Sequence, residues 1–108
     1  MISVTVWKSG GQYRGFAFRG HAGYSEDGID LVCASVSVLA LNTANSIEAF
    51  TEDVFEQELS EDGGYLRMDF PEGVSDRTSL LMDSLILGLQ GVEDAYGQDY
   101  ITLTFKEV

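Results

Sequence analysis

The sequence predicts an α/β (α+β) two-layer sandwich: one mixed sheet with two helices on one face, in the order ββαββαβ. Three features carry that expectation. Two pairs of alternating β-branched and aromatic runs each flank a glycine-containing turn, two long segments repeat apolar residues at helical spacing, and a final alternating run, YITLTF, follows the second of them. At 108 residues the chain reads as one domain with room for a single core.

Taken in order, residues 2 to 8, ISVTVWK, alternate as a half-buried strand does. Gly10-Gly11 turns the chain, and Gln12 to Arg19 alternates again with Tyr13, Phe16 and Phe18 among polar residues, which predicts a β-hairpin. The hairpin delivers His21, the only histidine, just past its end. A glycine-broken loop follows, and then an apolar helix from Leu31 to about Phe50, with Asp30 placed to act as its N-cap. So apolar a helix must be buried on more than one side, with the sheet and a second subunit as the candidates to cover it.

The runs 54 to 59, VFEQEL, and 65 to 70, YLRMDF, flank the turn Ser60-Glu61-Asp62-Gly63-Gly64 and predict a second hairpin, with Glu56, Glu58 and Asp69 on its solvated face. Pro71 and Gly73 close it. A second helix starts at Ser75 or Asp76, with Leu80, Leu81, Leu85, Leu89 and Val92 as its apolar stripe and Gly97 as its stop. Tyr100 to Phe105 forms the last strand.

Composition narrows the function. Eighteen acidic residues against six basic ones give a formal charge of −12, which repels a phosphate backbone and favours a cationic partner, so direct nucleic-acid binding is not expected. A lone cysteine forms no internal disulfide and fits a reducing compartment. With no secretory leader pattern and no apolar run judged long enough to cross a bilayer, the expected location is cytoplasmic and no membrane partner is expected. One cysteine and one histidine also fall short of a zinc site, so neither metal nor cofactor is expected.

The chemistry concentrates between Gly20 and Ser37, GHAGYSEDGIDLVCASVS. If Asp30 caps the helix, Cys33 falls in its first turn, among backbone N–H groups without intrahelical acceptors and at the positive end of the dipole, where a thiol ionises readily. His21 is the one side chain whose ordinary titration range suits it to take that proton. The two are twelve residues apart, and Gly23 and Gly28 let the intervening loop fold back. On type alone, a lone cysteine in an apolar helix is a small buried hydrophobe and a loop histidine can be incidental. Ser37, one turn after Cys33, has two equal readings: a partner of the dyad or substrate, or a hydroxyl bonded to its own helix.

This stretch resembles the signature of the ribosomal-processing cysteine proteases: Gly20-His21-Ala22, then Gly28, Asp30 and Leu31-Val32-Cys33-Ala34, followed by Val36-Ser37. The family usually carries a second alanine where this chain has Ser35, a small-for-small change. The resemblance implies a cysteine endopeptidase that trims a short N-terminal extension from large-subunit ribosomal protein twenty-seven, with Cys33 as nucleophile and His21 as general base. It also points to a homodimer.

On that footing, backbone N–H groups around Cys33 and Ala34 are the expected oxyanion donors. Asp30 either orients His21 or simply caps the helix, the latter ranking higher. Gly20, Ala22, Tyr24, Phe16 and Phe18 are the candidates to contact substrate, and the Ala22–Ile29 loop could close as a lid. The competing expectation is a non-catalytic acidic module that binds a basic ribosomal protein, with Cys33 serving only to pack. A thiol redox role is weaker, because there is no resolving cysteine.

Overall fold

The order of elements is β1 (Ile2–Ser9), β2 (Gln12–Arg19), α1 (Asp27–Phe50), β3 (Glu56–Leu59), β4 (Tyr65–Asp69), α2 (Asp76–Tyr96) and β5 (Ile101–Glu107), in a computed structural model that describes residues 1–20, 27–61 and 64–108, with the backbone alone for 27–30. The expected ββαββαβ order therefore holds. The strands form a five-stranded sheet in the order β3-β4-β2-β1-β5. Only β1 and β5 run parallel; β1–β2, β2–β4 and β3–β4 are antiparallel, so the sheet is mixed.

Register explains which face is filled. Val4 lies opposite Phe18 and Val6 opposite Phe16, while Phe16 and Phe18 in turn face Met68 and Leu66, and Ile2 pairs with Ile101. These residues share one face, and they are buried together with Val32, Val36, Ala40, Ala44 and Ile47 of α1 and Met82, Leu85 and Leu89 of α2. Both helices thus cover the same side of the sheet. A period of two on the strands matches a period near 3.6 on the helices across one core.

Turn chemistry at the predicted places holds the elements. Gly10 and Gly11 have φ of +57° and +84°, the doubly positive turn that suits a two-residue hairpin. Ser75 caps α2 by accepting from the Thr78 amide, and Gly97 ends it at φ +92° with its N–H on the Glu93 carbonyl. Asp53, in the link after α1, accepts hydrogen bonds from the Ser75 amide (2.9 Å), the Ser75 hydroxyl (2.7 Å) and the Thr78 hydroxyl (2.5 Å), tying that link to the start of α2.

Several expectations need correction. Strand β3 is shorter than VFEQEL, starting at Glu56, and β5 runs on to Glu107 because it pairs with β1 as far as Lys8. Leu80 does not belong to the core stripe of α2; it is 69% exposed, and Met82, fully buried, takes the inward position. Leu31–Phe50 is, by length and mean hydropathy, long and apolar enough to cross a membrane, contrary to the sequence reading. Its buried residues Val32, Val36, Ala40, Ala44 and Ile47 instead sit in the core shared with the sheet.

Candidate active site

Strand β2 delivers the chain to Gly20, and the reason residue 20 is glycine is steric. A Cβ there would stand 2.7 Å from Ile2 Cγ1 and 2.9 Å from Ile2 Cα, closer than real Cβ atoms approach. The Gly20 amide donates to the Gly64 carbonyl at 2.9 Å. The backbone leading to residue 21 is therefore held between the start of β1 and the turn before β4. His21 itself, with Ala22 and Tyr24, lies outside the described residues.

Cys33 sits on α1 between the fully buried Val32 and the exposed Ala34, half-buried and packed against the edge of the core. It is a free thiol. Its Sγ lies 4.0 Å from Ser37 Oγ, as two residues one turn apart on one face should. Ser35 and Thr43 hydrogen-bond the carbonyls of Leu31 and Leu39 on their own helix. For Ser37 the structure shows the sulfur contact.

The helix start differs from the expectation. α1 begins at Asp27, so Asp30 is its fourth residue and not its N-cap, and Cys33 falls in the second turn. The physical reason is that Gly28 in a first turn costs only about 1 kcal/mol, while Asp27 favours the positive end of the helix dipole. The amides of Cys33 and Ala34 consequently belong to the i→i−4 ladder of a helix interior and are not free oxyanion donors. Of the proposed lid, residues 27 to 29 are helical, and the remainder lies outside the described residues.

Phe16 and Phe18 are also corrected. They are 0% and 3% exposed, locked between α1, α2 and the neighbouring strands, and offer no surface to a substrate. Closeness in sequence to His21 does not say which sheet face a side chain takes, and the register turns both inward. Among the described residues no group of histidine, cysteine and carboxylate side chains could hold a metal.

Sequence reading missed the far face of the sheet. Trp7 carries the Arg67 guanidinium over its ring at 4.3 Å, and Tyr65 carries Arg19 at 4.7 Å. The alternation of β1, which puts Val4 and Val6 inward and Trp7 outward, was the available signal.

Comparison with known proteins adds the family. The family model for cysteine protease Prp matches residues 1–102. A relative from Bacillus subtilis (strain 168), "Ribosomal processing cysteine protease Prp", is 31% identical over 101 residues, spanning 89% of this chain and 90% of the relative. Two crystal structures of an essential ribosomal processing protease Prp from S. aureus are similar throughout. One holds a covalently linked product peptide (26% identity, TM-score 0.87, 98% of this chain and 100% of that one). The other holds a substrate peptide (25% identity, TM-score 0.89, with the same coverage).

Proposed function

The chain belongs to the cysteine protease Prp family, and we propose that it removes a short N-terminal extension from large-subunit ribosomal protein twenty-seven during ribosome maturation, in the cytoplasm and as a homodimer. It is a cysteine protease, hence a hydrolase. The observation that carries the reading is the presentation of Cys33. The chain's only cysteine is half-buried on α1, within a fold that in the S. aureus relative holds a covalently linked product peptide.

In the proposed reaction His21 takes the proton from Cys33 Sγ, and the thiolate attacks the scissile carbonyl carbon. The C–N bond then breaks as His21 returns the proton to the leaving amine, leaving an acyl-thioester on Cys33. Water attacks the thioester, the acid product leaves and the thiol is restored. Asp30, three residues before Cys33 in sequence, is the candidate to orient His21 in this reaction.

The net charge of −12 supports a basic protein as substrate. The dimer is supported by apolar residues left uncovered on both helices: Leu31, Val38 and Leu41 on α1, and Leu80 and Leu87 on α2, the last 72% exposed.

The test is incubation with the ribosomal protein bearing its extension, followed by sequencing of the new N-terminus, alongside Cys33→Ala. Cleavage by the native chain and none by the folded variant is the expected result. Tight binding with no cut by either protein would instead identify the acidic binding module.

A further inference from the structure

The face of the sheet turned away from the helices carries a composition at odds with the rest of the chain. Four of its six basic residues are here or at its rim: Arg19 and Arg67 on neighbouring strands β2 and β4, Lys106 beside Trp7 across the β1–β5 pair, and exposed Arg14. The only tryptophan lies among them.

The cations are pre-arranged. Arg67 stands over the Trp7 ring, 4.3 Å from its centroid, and makes a two-point ion pair to Asp69, Nε–Oδ2 at 2.8 Å and Nη2–Oδ1 at 3.1 Å. Arg19 stands over the Tyr65 ring, 4.7 Å from its centroid. Guanidinium groups fixed this way lose little freedom when a carboxylate arrives. Beside Trp7 is a hollow of about 260 Å³ lined also by Arg14, Arg67, Asp69, Phe70, Pro71 and Val108, with room for one apolar side chain next to the two guanidinium groups.

We propose that this open face, centred on Trp7 and the Arg14, Arg19, Arg67 and Lys106 cations, docks an extended acidic segment of a partner protein. Charge complementarity selects the occupant. Carboxylates of an extended chain alternate at about 6–7 Å on one side, so they can meet separate cations while an apolar neighbour fills the hollow. A nucleic acid fits less well. One face of Trp7 and one of Tyr65 already carry a guanidinium group, which leaves bases less bare ring to stack on. Glu56 and Glu58, in register with Asp69 and Arg67 on edge strand β3, bound the patch on its β3 side. The basic substrate proposed above suits the acidic remainder of the surface, so this site is separate from cleavage.

Because Trp7 is the sole tryptophan, its fluorescence reports this face directly. The full chain is titrated with a Glu-rich peptide containing one leucine, with the same peptide carrying Lys for Glu, and with a uridine oligonucleotide, each up to about 1 mM. A saturable change in emission with the Glu-rich peptide alone is expected. Its affinity should fall about tenfold in Arg14→Glu or Lys106→Glu, and similarly as salt screens the charges, while peptide cleavage by both variants stays unchanged. No response to the Glu-rich peptide, or an equal response in the charge-reversed variants, overturns the proposal. A response to the oligonucleotide alone, or emission that changes with protein concentration before any peptide is added, also overturns it by giving the face to RNA or to a second copy.

Discussion

The sulfur of Cys33 lies 4.0 Å from the hydroxyl oxygen of Ser37 on the next turn of α1. The helix thus brings to the thiol a polar atom close enough to bear on how the sulfur is oriented. Ser37→Ala should lower cleavage of an extension peptide by about tenfold, the scale of one hydrogen bond to a reacting group. Ser35→Ala should change it little, because Ser35 bonds only the Leu31 carbonyl at 2.8 Å. Steady-state kinetics of the two variants, side by side, decide the point; equal losses would leave the Cys33 contact without a role.

Gly20 is held tightly against Ile2 at the end of β2, directly before His21 in sequence. Gly20→Ala must push against the Ile2 backbone, where its Cβ would lie 2.9 Å from Cα. The expected cost is about 1–3 kcal/mol of stability, together with a fall in kcat/KM, because displacing this segment displaces the residue after it. Thermal unfolding paired with the cleavage assay checks both; a variant with native Tm and native turnover would show that the strand end yields freely.

Asp53 holds the junction between the two helices, and its pH dependence has a definite sign. Burial alone would raise its carboxyl, but hydrogen bonds from Thr78 and Ser75 outweigh this and hold it below the usual carboxylate range. A lowered folded value means the stabilisation is complete above the ordinary carboxylate pKa and is lost as pH falls through the lowered one. Asp53→Asn should cost about 2 kcal/mol near neutral pH, with the gap to the native chain narrowing in acid. Urea unfolding at several pH values measures the gap, and a constant difference would contradict the assignment.

Tyr13 works in the opposite direction. Its hydroxyl donates to Asp83 Oδ1 at 2.5 Å, joining β2 to α2. Burial first, then the hydrogen bond and charge of Asp83, push its pKa from 10.0 up to about 12. The phenol's stabilisation is therefore complete below pH 10 and disappears as pH rises through about 12. Tyr13→Phe should cost about 1 kcal/mol at neutral pH and should remove the part of alkaline unfolding that falls in that window, which circular dichroism can follow.

Uncovered apolar side chains on both helices make the association state testable. Val38 is 67% and Leu87 72% exposed, so replacing either with glutamate should leave folding within about 0.5 kcal/mol of native. If the homodimer uses these faces, light scattering should show the native chain at twice the chain mass and each variant at the monomer mass. A dimer that survives both changes would place its interface elsewhere.

The local signals in the sequence settled the element order. Alternation, the Gly10-Gly11 and Gly97 stops and the Ser75 cap are properties of neighbouring residues, and each acts where it stands. The family was legible for the same reason: its signature is a contiguous pattern, and the family model matches residues 1–102. What tertiary structure alone decided was direction and coverage. Phe16 and Phe18 look like pocket residues until the register with Met68 and Leu66 turns them into the core, and Leu80 looks like core until Met82 takes its place. Trp7 and Arg67 stand sixty residues apart in sequence yet stack at 4.3 Å. A strand's alternation gives two faces, but only pairing with distant strands and helices says which of them is dry.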